Sequence, residues 1–96
     1  MKAEIYNHRV WISETDPKMI KKYFDNLLYI CDFDVLDFID YRFVPMGYTA
    51  VWLLGESHFA IHTFPEHHKT YIEMSSCNIE KHNKFIDLVN TDYGQK

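Results

Sequence analysis

An α+β fold is predicted: a two-layer sandwich in which a mainly antiparallel sheet carries helices packed on one face. Three observations predict it. The order of periodic segments is strand, helix, three or four strands, helix. The strand segments follow one another closely, as hairpin-joined antiparallel strands do. The 96 residues suffice for one small domain, read as spanning residues 1–96, and no internal repeat, linker or low-complexity stretch divides them.

Ile5 to Ile12 reads as the first strand, since Ile5, Val10, Trp11 and Ile12 supply apolar and β-forming side chains. Ser13-Glu14-Thr15-Asp16-Pro17 is a helix start, with Asp16 as the cap and Pro17 at the first helical position. Ile20, Tyr23, Phe24, Leu27, Leu28 and Cys31 follow at helical spacing, which makes Cys31 a small core residue. Val35 to Phe43 alternates in part, until Pro45-Met46-Gly47 breaks it. The apolar run Thr49 to Leu54 suits a central strand. Gly55-Glu56 reads as a turn, and His58 to Phe64 alternates again. Pro65 to Lys69 is turn-like, and Thr70 to Ser76 is a further strand. Ile79, His82, Phe85, Ile86 and Val89 mark a second, shorter helix, with Thr91 to Lys96 as a frayed tail.

The formal net charge is −4 with both signs interspersed, so a nucleic-acid partner is not expected. Met1-Lys2-Ala3-Glu4 lacks the basic and apolar segments of a signal peptide, and no apolar run is long enough to cross a bilayer. A cytoplasmic protein without a membrane partner is expected, in which Cys31 and Cys77 stay reduced.

The unusual segment is Gly55-Glu56-Ser57-His58-Phe59-Ala60-Ile61-His62-Thr63-Phe64-Pro65-Glu66. Pattern alone describes a surface-edge strand with His58, Ala60, His62 and Phe64 on one face and Phe59, Ile61 and Thr63 on the other. A metal site from His58, His62, His67, His68 and Cys77 is a second reading. Geometry opposes it, because four residues of strand span roughly 13 Å and zinc holds its nitrogens at about 2 Å. A hydrolase nucleophile, Ser57 or Cys77 with a histidine base, is a third reading, without any Gly-x-Ser-x-Gly elbow to support it.

A fourth reading comes from resemblance. Glu56-Ser57-His58, then Ile61-His62-Thr63, then Pro65-Glu66 resembles the self-cleavage segment of prokaryotic S-adenosylmethionine decarboxylases. A cysteine follows the serine by twenty positions, at Cys77, as in that family. Upstream, Phe43-Val44-Pro45-Met46-Gly47-Tyr48-Thr49 is similar to its Phe-x-Pro-x-Gly segment, with Thr49 at a position usually held by serine. The resemblance is strong from Phe43 to Cys77 and looser over the first strand and helix.

The resemblance implies self-cleavage between Glu56 and Ser57 into residues 1–56 and 57–96, with Ser57 converted to a covalent pyruvoyl cofactor. It implies that His62 assists processing, that Thr49 supports it by hydrogen-bonding the cleaved carbonyl, and that Cys77 protonates the decarboxylated carbon. Such a step suits a thiol whose environment tunes its acidity. Phe43 would stack on an adenosyl group, and Glu66 would bind a substrate hydroxyl or amine. The pyruvoyl carbonyl would form a Schiff base with the substrate amine and accept the electrons left by carbon dioxide. The implied substrate is S-adenosylmethionine, decarboxylated to the aminopropyl donor of spermidine synthesis, and the implied assembly is a homodimer with sites near its interface. Asn7-His8-Arg9-Val10 stands where the family has a Gly-Arg-His-Leu-like strand, and Phe64 where it has tryptophan. The chain ends soon after the second helix, where the family's last strand is expected. A pyruvoyl-dependent ornithine or arginine decarboxylase, or an uncut binding homologue, is the alternative.

Overall fold

A computed structural model describes residues 4–55 and 57–94. Strand β1 (Tyr6–Ile12) is followed by helix α1 (Pro17–Ile30), β2 (Val35–Arg42), β3 (Tyr48–Leu54), β4 (Ser57–Phe64), a 3-10 turn (Pro65–His67), β5 (Lys69–Ser76) and α2 (Ile79–Tyr93). The five strands form one sheet in the order β1-β5-β4-β3-β2, and every neighbouring pair is antiparallel. The α+β sandwich is therefore the observed fold.

Alternation sorts the sheet residues onto two faces. Ile12, Thr70, Ile72, Met74, Phe59, Ile61, Tyr48, Ala50, Trp52 and Leu54 are buried on one of them. Against it lie Ile20, Phe24, Leu27 and Leu28 of α1, and Phe85 and Val89 of α2. Four aromatic rings make the centre: Phe24 lies 4.7 Å from Phe59 and 6.3 Å from Trp52, and Phe85 lies 5.1 Å from Phe59. The indole N–H of Trp52 would be stranded in that core, but it donates to Asp25 Oδ1 at 2.8 Å.

Both helices begin on side-chain caps. Asp16 Oδ2 accepts the Met19 N–H at 3.1 Å with Pro17 at the first position, as the sequence predicts. Asn78 caps α2 through the Lys81 N–H at 3.0 Å. Helix α2 is not the shorter one: it runs 15 residues against 14 for α1 and takes in Thr91–Tyr93, which composition alone reads as a frayed end. The Tyr93 ring packs 4.9 Å from Tyr23 of α1, and this contact carries the helix past the periodic signal. Cys31 caps α1 and is buried, as expected.

Strand β4 is not at an edge. It sits at the centre of the sheet, between β3 and β5. The exposed edge is β2, whose residues are almost all exposed on both faces. No helix among the described residues is long and apolar enough to cross a membrane.

Candidate active site

The second sheet face carries no helix among the described residues, and Thr49 and His62 stand on it. One row of cross-strand partners traverses all five strands: Tyr41 opposite Thr49, Thr49 opposite His62, His62 opposite Tyr71, and Tyr71 opposite Trp11. Thr49 Oγ1 lies 2.9 Å from His62 Nδ1. When Nδ1 carries the ring proton and donates to Thr49, Nε2 keeps its lone pair and is the basic atom. On the other side of His62, the Tyr71 ring lies 18° from parallel at a centroid distance of 6.3 Å. Two of the residues singled out in the sequence thus meet as a hydrogen-bonded pair.

Phe43 belongs to the same end of the sheet. It follows β2, and its ring lies 4.8 Å from Tyr41. Its N–H donates to the Gly47 carbonyl at 2.8 Å. Gly47 has φ +112°, a conformation that favours glycine, so the Phe43–Gly47 turn depends on that residue. Phe43 is half exposed and stands outside the buried core. Glu66 is exposed in the 3-10 turn after β4, also at this end.

Ser57 and Cys77 lie at the opposite end. Ser57 opens β4, partly buried, and pairs with Leu54 across the β3–β4 hairpin. Cys77 is exposed one residue past Ser76, the last residue of β5. The register His58 opposite Ser75 brings Ser57 and Ser76 to the same sheet end, so Ser57 and Cys77 are neighbours in topology. Glu56 lies outside the described residues. Gly55 is not in the left-handed region, and a Cβ there would meet only Asp34 Cβ at 3.9 Å. The turn in this conformation therefore does not require glycine's freedom.

One expected juxtaposition is not made within a chain. Ser57 and His62 are five positions apart on one extended strand, a span of roughly 16 Å. They also have opposite parity: Ser57 aligns with Phe59 and Ile61, whereas His62 faces the open side. His62 thus does not reach the Ser57 of its own chain in this conformation. The residues that sequence reasoning passed over are Tyr71 and Trp11, visible only once the strand register is known.

The open face is apolar for a solvent surface. Ile39, Tyr41, Leu53, Trp11 and Phe64 are all exposed on it, from 39% for Trp11 and Phe64 to 71% for Ile39. A sheet face with this many exposed large side chains is a surface suited to burial against another protein.

Comparison with known proteins identifies the family. The S-adenosylmethionine decarboxylase family matches residues 4–96. An S-adenosylmethionine decarboxylase proenzyme of Geobacillus kaustophilus is 33% identical, over 52% of this chain and 58% of that one. One from Hydrogenobaculum is 49% identical, over 38% of this chain and 28% of that one. The chain thus spans about a quarter to three fifths of the length of these curated relatives. The crystal structure of the adenosylmethionine decarboxylase from Aquifex aeolicus superposes with a TM-score of 0.81 at 22% identity, covering 100% of this chain and 85% of that one. That likeness shows the shared fold.

Proposed function

Because this chain belongs to the S-adenosylmethionine decarboxylase family, we propose that it cuts its own backbone between Glu56 and Ser57 and decarboxylates S-adenosylmethionine. The observation that carries the reading is the Thr49–His62 hydrogen bond at 2.9 Å, beside a strand that begins on Ser57. The residues fit a pyruvoyl group made at Ser57. The hairpin turn before Ser57 is the one connection between β3 and β4, and both strands keep a second neighbour, β2 and β5 respectively. A cut there opens the turn and leaves the sheet paired.

In processing, Ser57 Oγ attacks the Glu56 carbonyl carbon and the chain shifts from amide to ester. A base then takes the Ser57 α-proton, which expels the Glu56 carboxylate and leaves dehydroalanine. Water hydrolyses this to a pyruvoyl group with loss of ammonia. His62 Nε2 is the base in this reading, and Thr49 holds the ring at Nδ1. The pyruvoyl group supplies an electron sink for the carbanion formed as carbon dioxide leaves. Cys77, at the Ser57 end, donates the proton to that carbon, Phe43 stacks on the adenosyl ring and Glu66 binds a polar group of the substrate. The product is the aminopropyl donor for spermidine synthesis.

The roughly 16 Å between Ser57 and His62 supports a homodimer. A second copy laid antiparallel on the open face, about a twofold axis near Ala60, sets its own His62 toward the Ser57–Cys77 end of the first. The same contact covers Ile39, Tyr41, Leu53 and Phe64.

Intact-mass measurement tests the reading. Two pieces, 1–56 and a pyruvoyl-blocked 57–96, are expected from the wild type and a single uncut chain from Ser57→Ala. An uncut wild type with a Ser57 hydroxyl would sink it. Carbon dioxide release assayed side by side from S-adenosylmethionine, ornithine and arginine then fixes the substrate.

A further inference from the structure

His62 is flanked by two cross-strand partners, and the reading above uses only one. Tyr71 is the other. Its ring lies 18° from parallel with the imidazole, at 6.3 Å between centroids. Tyr71 is itself held on two sides. Its hydroxyl donates to Glu73 Oε2 at 3.1 Å, and its ring takes the Trp11 ring edge-on at 5.4 Å. Trp11 in turn has the Lys69 ammonium 4.3 Å over its ring and Phe64 at 5.7 Å. This cluster is on the open face, where neither helix contributes to its order.

We propose that Tyr71 is a positioning residue that fixes the plane of the His62 imidazole, with Trp11 and Glu73 fixing Tyr71. The argument is geometric. One hydrogen bond, between Nδ1 and Thr49 Oγ1, leaves the ring room to turn about its bond to Cβ. A near-parallel ring on the opposite side removes the swing, because rotation of the imidazole out of plane meets the phenol face. The Nε2 atom then has one direction in which to aim. Displacing a base by about 1 Å costs up to about a hundredfold in rate, so the plane of the ring matters to a proton transfer. Tyr71 touches no reacting atom in this scheme and acts through His62.

The proposal rests on the reading of His62 as the processing base, and two measurements separate their failures. The first is the rate of self-cleavage in the full chain. Tyr71→Ala is expected to slow it by about ten- to a hundredfold, and Tyr71→Phe, which keeps the ring and loses the hydroxyl, recovers most of that loss. Tyr71→Leu replaces Tyr71→Ala if the latter does not fold. The second measurement needs no activity: the 15N shifts of the His62 ring in Ser57→Ala, with and without Tyr71→Ala. A shift from the pattern of one tautomer toward a mixture is expected when Tyr71 is removed. Unchanged 15N shifts overturn the proposal whatever the rate, and an unchanged cleavage rate overturns it as well. If the wild type is never cut, the functional reading fails and the 15N shifts alone decide the role of Tyr71.

Discussion

Ser57 and His62 begin and nearly end the same strand, on opposite parities and roughly 16 Å apart. The proposed reading therefore takes the base that removes the Ser57 α-proton from a second copy of the chain. Co-expression of Ser57→Ala with His62→Ala tests this. Neither variant alone is expected to cut. In mixed dimers the His62→Ala chain is expected to be cut, since it keeps Ser57 and receives an intact His62 from its partner. Mixed dimers that form and stay uncut would place the base elsewhere.

The Thr49–His62 bond predicts a graded response at Thr49. Thr49→Ala leaves Nδ1 without its 2.9 Å partner and should slow self-cleavage by about tenfold or more. Thr49→Ser keeps the hydroxyl and should cut at nearly the wild-type rate. Equal rates for Ala and Ser, followed by gel over time, would remove Thr49 from the processing machinery.

Cys77 separates making the cofactor from using it. It lies one residue beyond β5, exposed, and no strand pairing depends on it. Cys77→Ala should therefore fold and cut, yet lose most carbon dioxide release. Full turnover in this variant would end the proton-donor assignment.

Much of the fold was legible because the local signals were strong and independent. Asp16-Pro17 marks the start of α1, Pro45-Met46-Gly47 separates β2 from β3, and strand alternation gives the right faces for Phe59, Ile61 and Thr63. The end of α2 was not legible, since Tyr93 is held by a ring contact with Tyr23 that no periodicity reports. The central place of β4 was not legible either, because polar residues on a sheet face left open read the same as polar residues on an edge strand. At the site, the motif spacing that carries the family resemblance named Thr49 and His62 but not their register, and register alone reveals Tyr71 and Trp11. The same spacing hid the distance between Ser57 and His62. Five positions look close in a motif and are far apart on an extended strand.

Asp25 tests the core. Its Oδ1 accepts the Trp52 indole N–H at 2.8 Å, and its Oδ2 meets Lys21 Nζ at 2.6 Å. The ion pair is nearly half exposed and contributes little. The indole bond matters more, because Trp52 is fully buried and its donor has no water to turn to. Asp25→Ala should lower unfolding free energy by about 1–3 kcal/mol, whereas Lys21→Ala should change it by less than about 1 kcal/mol. Urea titration of both variants measures the difference, and equal effects would show that the ion pair governs instead.

His82 predicts how stability responds to acid. It is a buried histidine on α2, with its ring 6.0 Å from Tyr6 and its Nδ1 without a hydrogen-bond partner. Burial pushes its pKa below the ordinary value of 6.5, and the nearby His8 pushes it the same way. The folded state then binds a proton less readily than the unfolded state. As pH falls below about 6.5 the unfolded chain takes up a proton that the folded chain refuses, so stability declines until the folded pKa is reached and is level below it. Above about 6.5 both states are neutral at this residue and it adds no slope. His82→Phe keeps an aromatic ring in the seam between α2 and β1 and removes the titration. Urea midpoints from about pH 8 to about pH 5 should therefore fall more for the wild type than for His82→Phe, the gap opening below about 6.5. A wild-type-minus-variant difference that stays constant over this range would mean that His82 takes up its proton as easily folded as unfolded.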